Sequence, residues 1–429
     1  MSVSEVVLLR GGNVIDENGS RRADVLLADG VVGDLGEALE VPGGAMVLEV
    51  DGCLVSPGLV DLHAHLREPG DPEAETILTG SRAAALGGYT AVVAMPNTEP
   101  AIDNVAVVEQ VRHLSRAALC QVEVAAAITV GRAGEHLAPL GELADAGVRL
   151  FTDDGSGVQD AGLMRRALEY AAPLGITLAQ HCEDARLAAG GHMHEGRWSS
   201  ELGIPGMPAI AEEAMVARDL ALAHLTGARL HLLHLSTAHS VDLVRNAKSL
   251  GVNVTCEVTP HHLMLTDEEA ASFDPAFKVN PPLRPAADVE ALRAALADGT
   301  VDAIATDHAP HPPHAKQAPF DQAPPGMLGL ETALGVALSV LDMPVDAVLA
   351  AFSWKPARIA GLSDHGGRVA PGEPANLCVV DPAATWSVDP NALASPARNT
   401  PFAGRKLTGR VRHTIFRGEL VVRDGEAQR

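Results

Sequence analysis

Residues 59–70 read Leu59-Val60-Asp61-Leu62-His63-Ala64-His65-Leu66-Arg67-Glu68-Pro69-Gly70, an apolar run that ends in two histidines. Alternate residues of a strand face the same way, so His63 and His65 can reach one ion. Imidazole is a natural ligand for zinc. The same build recurs along the chain. Strand-like apolar runs end near Leu62–Leu66, Ala94–Asn97, Ala127–Thr129, Phe151–Asp154, Ala179–His181, Leu233–Ser236, Glu257–Thr259 and Ile304–Asp307. Ala-rich segments with helical patterning lie between them: Ile77–Leu86, Val105–Leu114, Gly162–Ala172, Glu212–His224, Ser240–Ser249 and Asp288–Ala297. Eight β units, each followed by helix, predict an α/β fold of the (β/α)8 TIM-barrel kind. Continuous rather than alternating apolar strands fit a parallel sheet covered by helices.

The two ends of the chain have a different texture. Short strand-like runs (Val6–Leu9, Val14–Ile15, Val25–Leu27, Val31–Val32, Met46–Val50) are punctuated by Gly-Gly, Asn-Gly and Asp-Gly pairs, and Leu377–Val380, Val411–Phe416 and Leu420–Val422 match them near the end. Both ends are expected to build one small flanking β-sandwich. The expected division is 1–53 and 366–429 for that unit and 54–365 for the barrel. No internal repeat of 20–50 residues occurs. The Pro-rich segment 310–326 should be a loop, and a long loop on a barrel is usually a lid or binding loop.

Composition narrows the function classes. The chain has 429 residues, 47% of them hydrophobic, and a net charge of −23. Such an acidic chain is a poor candidate for gripping nucleic acid or anionic membranes. Its five cysteines are odd in number and form no CxxC, so neither a disulfide framework nor a Cys-based zinc finger is expected. With no signal pattern and no long apolar run, the expectation is a soluble, cytoplasmic protein. Lysine occurs only at 248, 278, 316, 355 and 406; every other basic residue is arginine.

A barrel's active site lies at the C-terminal ends of its strands. There the sequence places His63, His65, Asp153-Asp154, His181, His231 and His234, and Asp307. His234 is preferred over His231 because it is nearer the strand end; spacing does not choose between Asp153 and Asp154. Imidazoles and carboxylates without thiolates indicate a catalytic metal site with an open position. Hydrolysis follows: a metal acidifies water and polarises a carbonyl, and one or two ions serve. Asp307 is placed to move the proton.

With Asp61–Gly70 as its start, the chain resembles the amidohydrolase superfamily, and within it the long-chain bacterial dihydroorotases. The likeness spans nearly the whole length: Gly87–Thr90, Met95-Pro96-Asn97-Thr98, Phe151–Gly155, His181–Asp184, His234–Thr237, Val279–Arg284, Ala305–His311, Gly329–Thr332 and Asn399–Phe402. The resemblance implies a zinc-dependent, reversible closure of N-carbamoyl-L-aspartate to L-dihydroorotate in pyrimidine (UMP) biosynthesis, through a metal-activated hydroxide. It implies that His63, His65 and Asp307 hold one zinc, that His181 and His234 hold the second, and that Asp154 bridges them. One zinc per chain is the alternative. Asp307 would also be general base and acid. Arg67 and Asn97, helped by His311, would bind the substrate carboxylate; Asn280 and the Pro325-Gly326 backbone would read the ring amides.

Many relatives in the wider superfamily bridge their metals with a carboxylated lysine on the fourth strand. Here no lysine precedes residue 248, so that bridge is unavailable and Asp154 must replace it. This counts against the nearest rival, a hydantoin or allantoin amidase. A second rival, a silent subunit scaffolding aspartate transcarbamoylase, would have lost metal ligands, whereas all six are present. A homodimer and docking of an active enzyme to aspartate transcarbamoylase stay compatible with the sequence. His261, His262, His308, His314 and Cys182 are read as structural or solvated.

Overall fold

The computed structural model describes residues 6–429; residues 1–5, the start of the expected flanking unit, lie outside the described residues. Five strands come first: β1 (Val7–Asp16), β2 (Gly19–Ala28), β3 (Val31–Gly36), β4 (Met46–Glu49) and β5 (Leu54–Pro57). Strands β6 (Leu59–Ala64), β7 (Tyr89–Ala94), β8 (Gln121–Val124), β9 (Leu150–Thr152) and β10 (Thr177–Gln180) then alternate with helices α1 (Ile77–Leu86), α2 (Val105–Leu114), α3 (Leu140–Asp145) and α4 (Ala161–Leu174). An excursion follows, with β11 (Met193–His194), α5 (Arg197–Leu202) and β12 (Gly206–Met207). The alternation resumes with α6 (Ile210–Thr226), β13 (Arg229–Leu232), α7 (Ala238–Ser249), β14 (Val254–Val258), α8 (Pro260–Met264), α9 (Ala286–Ala297) and β15 (Ala303–Ile304). Helices α10 (Ala333–Val340), α11 (Val345–Phe352) and α12 (Trp354–Ala360) lead to β16 (Leu377–Ser387), β17 (Lys406–Phe416), β18 (Glu419–Arg423) and β19 (Glu426–Ala427).

The parallel strands form two ladders, β6-β7-β8 and β9-β10-β13-β14-β15. Two parallel bridges, Ala126 to Phe151 and Ala64 to His308, join them edge to edge. Across these joints Thr152 N–H donates to Ala126 O (2.8 Å) and His65 N–H to His308 O (2.8 Å). The ring of eight strands is thereby closed, and the fold is the expected (β/α)8 barrel. Its interior is filled by small and medium side chains, among them Leu62, Val93, Ala125, Ala179, Leu233 and Ala305. A larger apolar cluster packs the outer face of the strands against the helices.

Helix starts follow capping chemistry. Thr76 and Thr79 make a reciprocal capping box on α1, while Asn104, Asp160 and Thr237 accept backbone N–H groups at the starts of α2, α4 and α7. Helices α4 and α6 end at Gly175 and Gly227 in the left-handed conformation. Two barrel strands stop earlier than their apolar runs do, for a common reason. Beyond β8, the N–H groups of Ile128 and Thr129 donate to the Asp153 carboxylate (2.8 and 3.1 Å) instead of to a neighbouring strand. Beyond β15, Thr306 N–H donates to Asp61 Oδ1 (2.9 Å). Buried carboxylates replace ladder partners where the strands open towards solvent.

The flanking β-sandwich is built from both chain ends. Its strands form one nine-stranded sheet, β19-β18-β17-β16-β5-β1-β2-β3 with β4 beside β1, wrapped around its own core of Val7, Leu9, Val25, Val55, Val379 and Ile415. The two ends meet where β5 pairs antiparallel with β16, Leu54 opposite Val380 and Pro57 opposite Leu377. Among the described residues no helix is long and apolar enough to cross a membrane.

Barrel and sheet touch at the turn before β7. Gly88 there has φ +89°, and a Cβ on it would lie 2.5 Å from Cys378 Sγ on β16. Gly88→Ala is therefore expected to destabilise the protein by about 2–4 kcal/mol, from backbone strain plus overpacking. Chemical denaturation against wild type measures this, and an unchanged midpoint contradicts the packing described.

Candidate active site

The C-terminal ends of the barrel strands enclose a cavity of about 200 Å³, lined by residues from six strand ends and by the 324–326 turn. His63 lies on β6 and His65 directly follows it, Asp154 follows β9, His181 follows β10, His234 follows β13 and Asp307 follows β15. The structure brings these six together, and all are buried.

Asp154 lies between two pairs of imidazoles. Its Oδ2 is 3.4 Å from His63 Nε2 and 3.5 Å from His65 Nε2; its Oδ1 is 3.4 Å from both His181 Nδ1 and His234 Nε2. Asp307 Oδ1 lies on the His63–His65 side, 3.1 Å from His65 Nε2 and 3.5 Å from His63 Nε2. His181 Nδ1 and His234 Nε2 are 2.9 Å apart. Burial opposes ionisation of Asp154, but the His63 charge and the close approach of His181, His234 and His63 hold its carboxyl well below the usual range. Asp307 behaves alike: burial opposes, and the His63 charge and the His65 hydrogen bond outweigh it.

Two three-residue sets have donor atoms close enough to share one ion: His63, His65 and Asp307, and His63, Asp154 and His234. The donor set suits a metal on a second count. Buried His63 Nε2 and Asp154 Oδ1 have no hydrogen-bond partner, although they face one another's neighbours across the site. Ionised carboxylates in an enclosed space require a compensating cation. Nitrogen and oxygen donors without thiolate fit a borderline divalent ion such as zinc.

The residues behind this shell set which nitrogen faces inward. Glu257 on β14 accepts from His63 Nδ1 (3.0 Å) and, with its other oxygen, from His231 Nε2 (3.0 Å). Burial raises the Glu257 pKa, but these two histidines more than offset it and bring it to about 2. A carboxylate only accepts, so His63 keeps its Nδ1 proton towards Glu257 and turns Nε2 to the site, the nitrogen that would bind a metal once its own proton is displaced. Asn97 does the same for His65, its Oδ1 2.8 Å from Nδ1. The sequence reading missed Glu257. Its only signal is one acid in the apolar run Val254–Val258 on a strand whose inward face is otherwise uncharged. His231 is turned away to Glu257 and Thr255, and Asp153 to Ile128 and Thr129, so neither faces the cavity.

The opposite wall is basic. Arg67 is held by Nε–H to Pro310 O (3.1 Å) and, among the described residues, forms no ion pair. His311 Nε2 donates to Pro325 O (2.8 Å). Burial, then the Arg67 charge, pushes the His311 pKa to about 3. Gly326 N–H is committed to Lys278 O (2.9 Å) and Gly326 O accepts from Asn399 Nδ2 (3.1 Å). Asn280 lines the cavity with a buried Oδ1 that has no partner. Arg67, His234 and Asp307 have φ of +58°, +32° and +45°, a region few side chains adopt. Such backbone strain concentrates at functional sites.

Of the other histidines, His261 has a buried Nε2 without a partner, while His308 and His262 are bonded away from the cavity. His308 Nε2 donates to Glu75 (3.2 Å) and its Nδ1 accepts from Gly329 N–H (3.2 Å). His262 lies between Thr259 Oγ1 and Pro281 O, and Cys182 Sγ points to Gln180 O (3.6 Å).

Comparison with known proteins gives a consistent picture. The model of the dihydro-orotase-like family matches residues 52–240. The chain is similar to a protein named dihydroorotase from Streptomyces coelicolor, 51% identical over 429 residues, covering 98% of this chain and 99% of the relative. It is 49% identical to one from Pelotomaculum thermopropionicum, covering 97% and 99%. Among solved structures, the L-hydantoinase (dihydropyrimidinase) of Arthrobacter aurescens superposes with a TM-score of 0.88 at 25% identity, covering 99% of this chain and 97% of that one. The dihydropyrimidinase of Brevibacillus agri, at 23% identity and a TM-score of 0.86, shares the fold.

Glu257→Gln keeps an acceptor for one histidine only. It is expected to weaken binding of a divalent ion such as zinc at these groups by about 10–100-fold, the usual effect of removing a partner behind a metal ligand. Competition with a chelator reads this, and unchanged affinity contradicts the assigned support.

Proposed function

Because the chain belongs to the dihydroorotase family of cyclic amide hydrolases, we propose that this cavity catalyses the reversible closure of N-carbamoyl-L-aspartate to L-dihydroorotate with zinc. The observation that carries the reading is the polarity of one small cavity. Four imidazoles and two ionised carboxylates occupy one side, and an unpaired guanidinium stands on the other. That arrangement fits an anionic substrate with a cleavable amide.

His63, His65 and Asp307 would hold one ion and His181 and His234 a second, with Asp154 between them. When bound, zinc supplies Lewis acidity, polarising the amide carbonyl and making water acidic enough to react near neutral pH. Asp307 is the acid and base. Its ionised carboxylate takes the proton of the attacking water and returns it to the ring nitrogen as the C–N bond breaks. In the closing direction the same group removes the proton from the ureido nitrogen. The amide cleaved is the one next to the ring methylene.

Arg67 binds the substrate carboxylate, its planar fork matching the two oxygens. Asn97 spends its Oδ1 on His65 and has its Nδ2 left for the same carboxylate. His311 is neutral and gives its single N–H to Pro325 O, so it shapes the carboxylate site beside Arg67 without adding charge. Of the three groups expected to read the ring amides, Asn280 has the uncommitted atom; Pro325 and Gly326 contribute a shaped wall. With a net charge of −23, attraction for an anion is local to this wall and the metal centre.

Purified protein should convert L-dihydroorotate to N-carbamoyl-L-aspartate, and activity on hydantoin without activity on dihydroorotate overturns the reading. Arg67→Met should raise KM by about a hundredfold, the loss of a charged two-bond contact, with bound zinc unchanged. Loss of zinc in that variant contradicts the role given to Arg67.

A further inference from the structure

The segment 310–326 carries six prolines, at 310, 312, 313, 319, 324 and 325. Proline has no N–H, so such a segment has few donors with which to fasten itself. Yet its far end, Pro324-Pro325-Gly326, is one wall of the cavity. Two of the chain's five lysines supply the missing donors. Lys316 Nζ donates to Pro324 O (2.8 Å), Pro275 O (3.0 Å) and Lys278 O (3.3 Å). All three ammonium hydrogens are used, each on a carbonyl. Among the described residues no carboxylate pairs with this ammonium. Lys278 Nζ donates to Asp321 O (3.0 Å), and its carbonyl also receives Gly326 N–H (2.9 Å). Two residues further on, Asn280 lines the same cavity.

We propose that Lys316 is a positioning residue for substrate binding: its ammonium staples the Pro324–Gly326 wall to the 275–280 segment, and the cavity holds substrate tightly only while that staple is charged. A neutral amine has two donors and a lone pair, so one of the three carbonyl contacts would turn from attraction to repulsion. Burial lowers the Lys316 pKa to about 7; the Lys278 charge adds to this and Asp274 opposes it. His311, at about 3, stays neutral. Asp321 and His192 face Lys278, and His314 is exposed beside Glu73 (3.5 Å). The staple is therefore intact below about pH 7 and released as pH rises. The wall moves and the metal ligands do not, so KM rises while kcat is spared.

The kinetic arm of the test rests on the substrate proposed above; amide exchange does not. KM and kcat for dihydroorotate are measured from about pH 6 to 9 in wild type, Lys316→Arg and Lys316→Met, with hydrogen exchange of the Gln322, Ala323 and Gly326 amides. Wild-type KM should rise about tenfold across the range, the loss of one charged hydrogen bond. Lys316→Arg, always charged, should keep a low KM throughout. Lys316→Met should show the high KM at every pH with kcat within about threefold of wild type. An alkaline rise in KM that persists unchanged in Lys316→Arg overturns the proposal, and so does wild-type KM in Lys316→Met at low pH. If Lys316→Met does not fold, wild type against Lys316→Arg still decides. If wild type does not turn over dihydroorotate, the substrate reading fails and exchange alone judges the staple. Exchange that accelerates with pH in wild type beyond its intrinsic dependence, but not in Lys316→Arg, supports it; parallel profiles overturn it.

Discussion

One carboxylate organises the molecule's working end. Asp154 is 2% exposed, and each of its oxygens faces a different pair of imidazoles. Asp307 and Glu257 bring two more carboxylates into the same enclosed space. An interior cannot carry that much uncompensated negative charge. The four histidines answer it, and a divalent ion answers it better, because neutral imidazole and ionised carboxylate are then both in their preferred states. The ends of strands β6, β9, β10, β13 and β15 supply these groups, so closure of the barrel and assembly of the site are one event.

Around that centre, buried acids act as backbone partners. Asp61 holds Thr306 beside Asp307, and Asp153 holds Ile128 and Thr129 beside Asp154. Glu75 fixes His308, whose carbonyl accepts His65 N–H. The Thr306 and His308 supports flank Asp307, which stands in a left-handed backbone conformation that isolated residues avoid. Part of the chain's acid excess is thus structural and lies behind the site.

Much of this is legible in the sequence, for a definite reason. Strands β6, β9, β10 and β15 are buried on both faces, so a polar residue where an apolar run stops stands out, and His63, His65, His181 and Asp307 are visible in that way. The near-degenerate pairs are harder. Asp153 and Asp154 are both buried, as are His231 and His234, and only the fold shows which member bonds to the backbone or to Glu257. Glu75 with Ser395, 320 positions apart, leaves no local trace. The three carbonyls around Lys316 come from residues 275, 278 and 324, and no spacing rule links them. Strands β8 and β15 end before their apolar runs do because side-chain carboxylates, not strands, take the next N–H groups.

Asp154 faces both histidine pairs, and in the proposed reading it ties them into one metal site. Its most direct test is bound zinc per chain in Asp154→Ala against wild type, at equal free zinc, with the fold checked by circular dichroism. A folded variant that binds less zinc than wild type is the predicted result. A folded variant that binds as much zinc, as tightly, contradicts it.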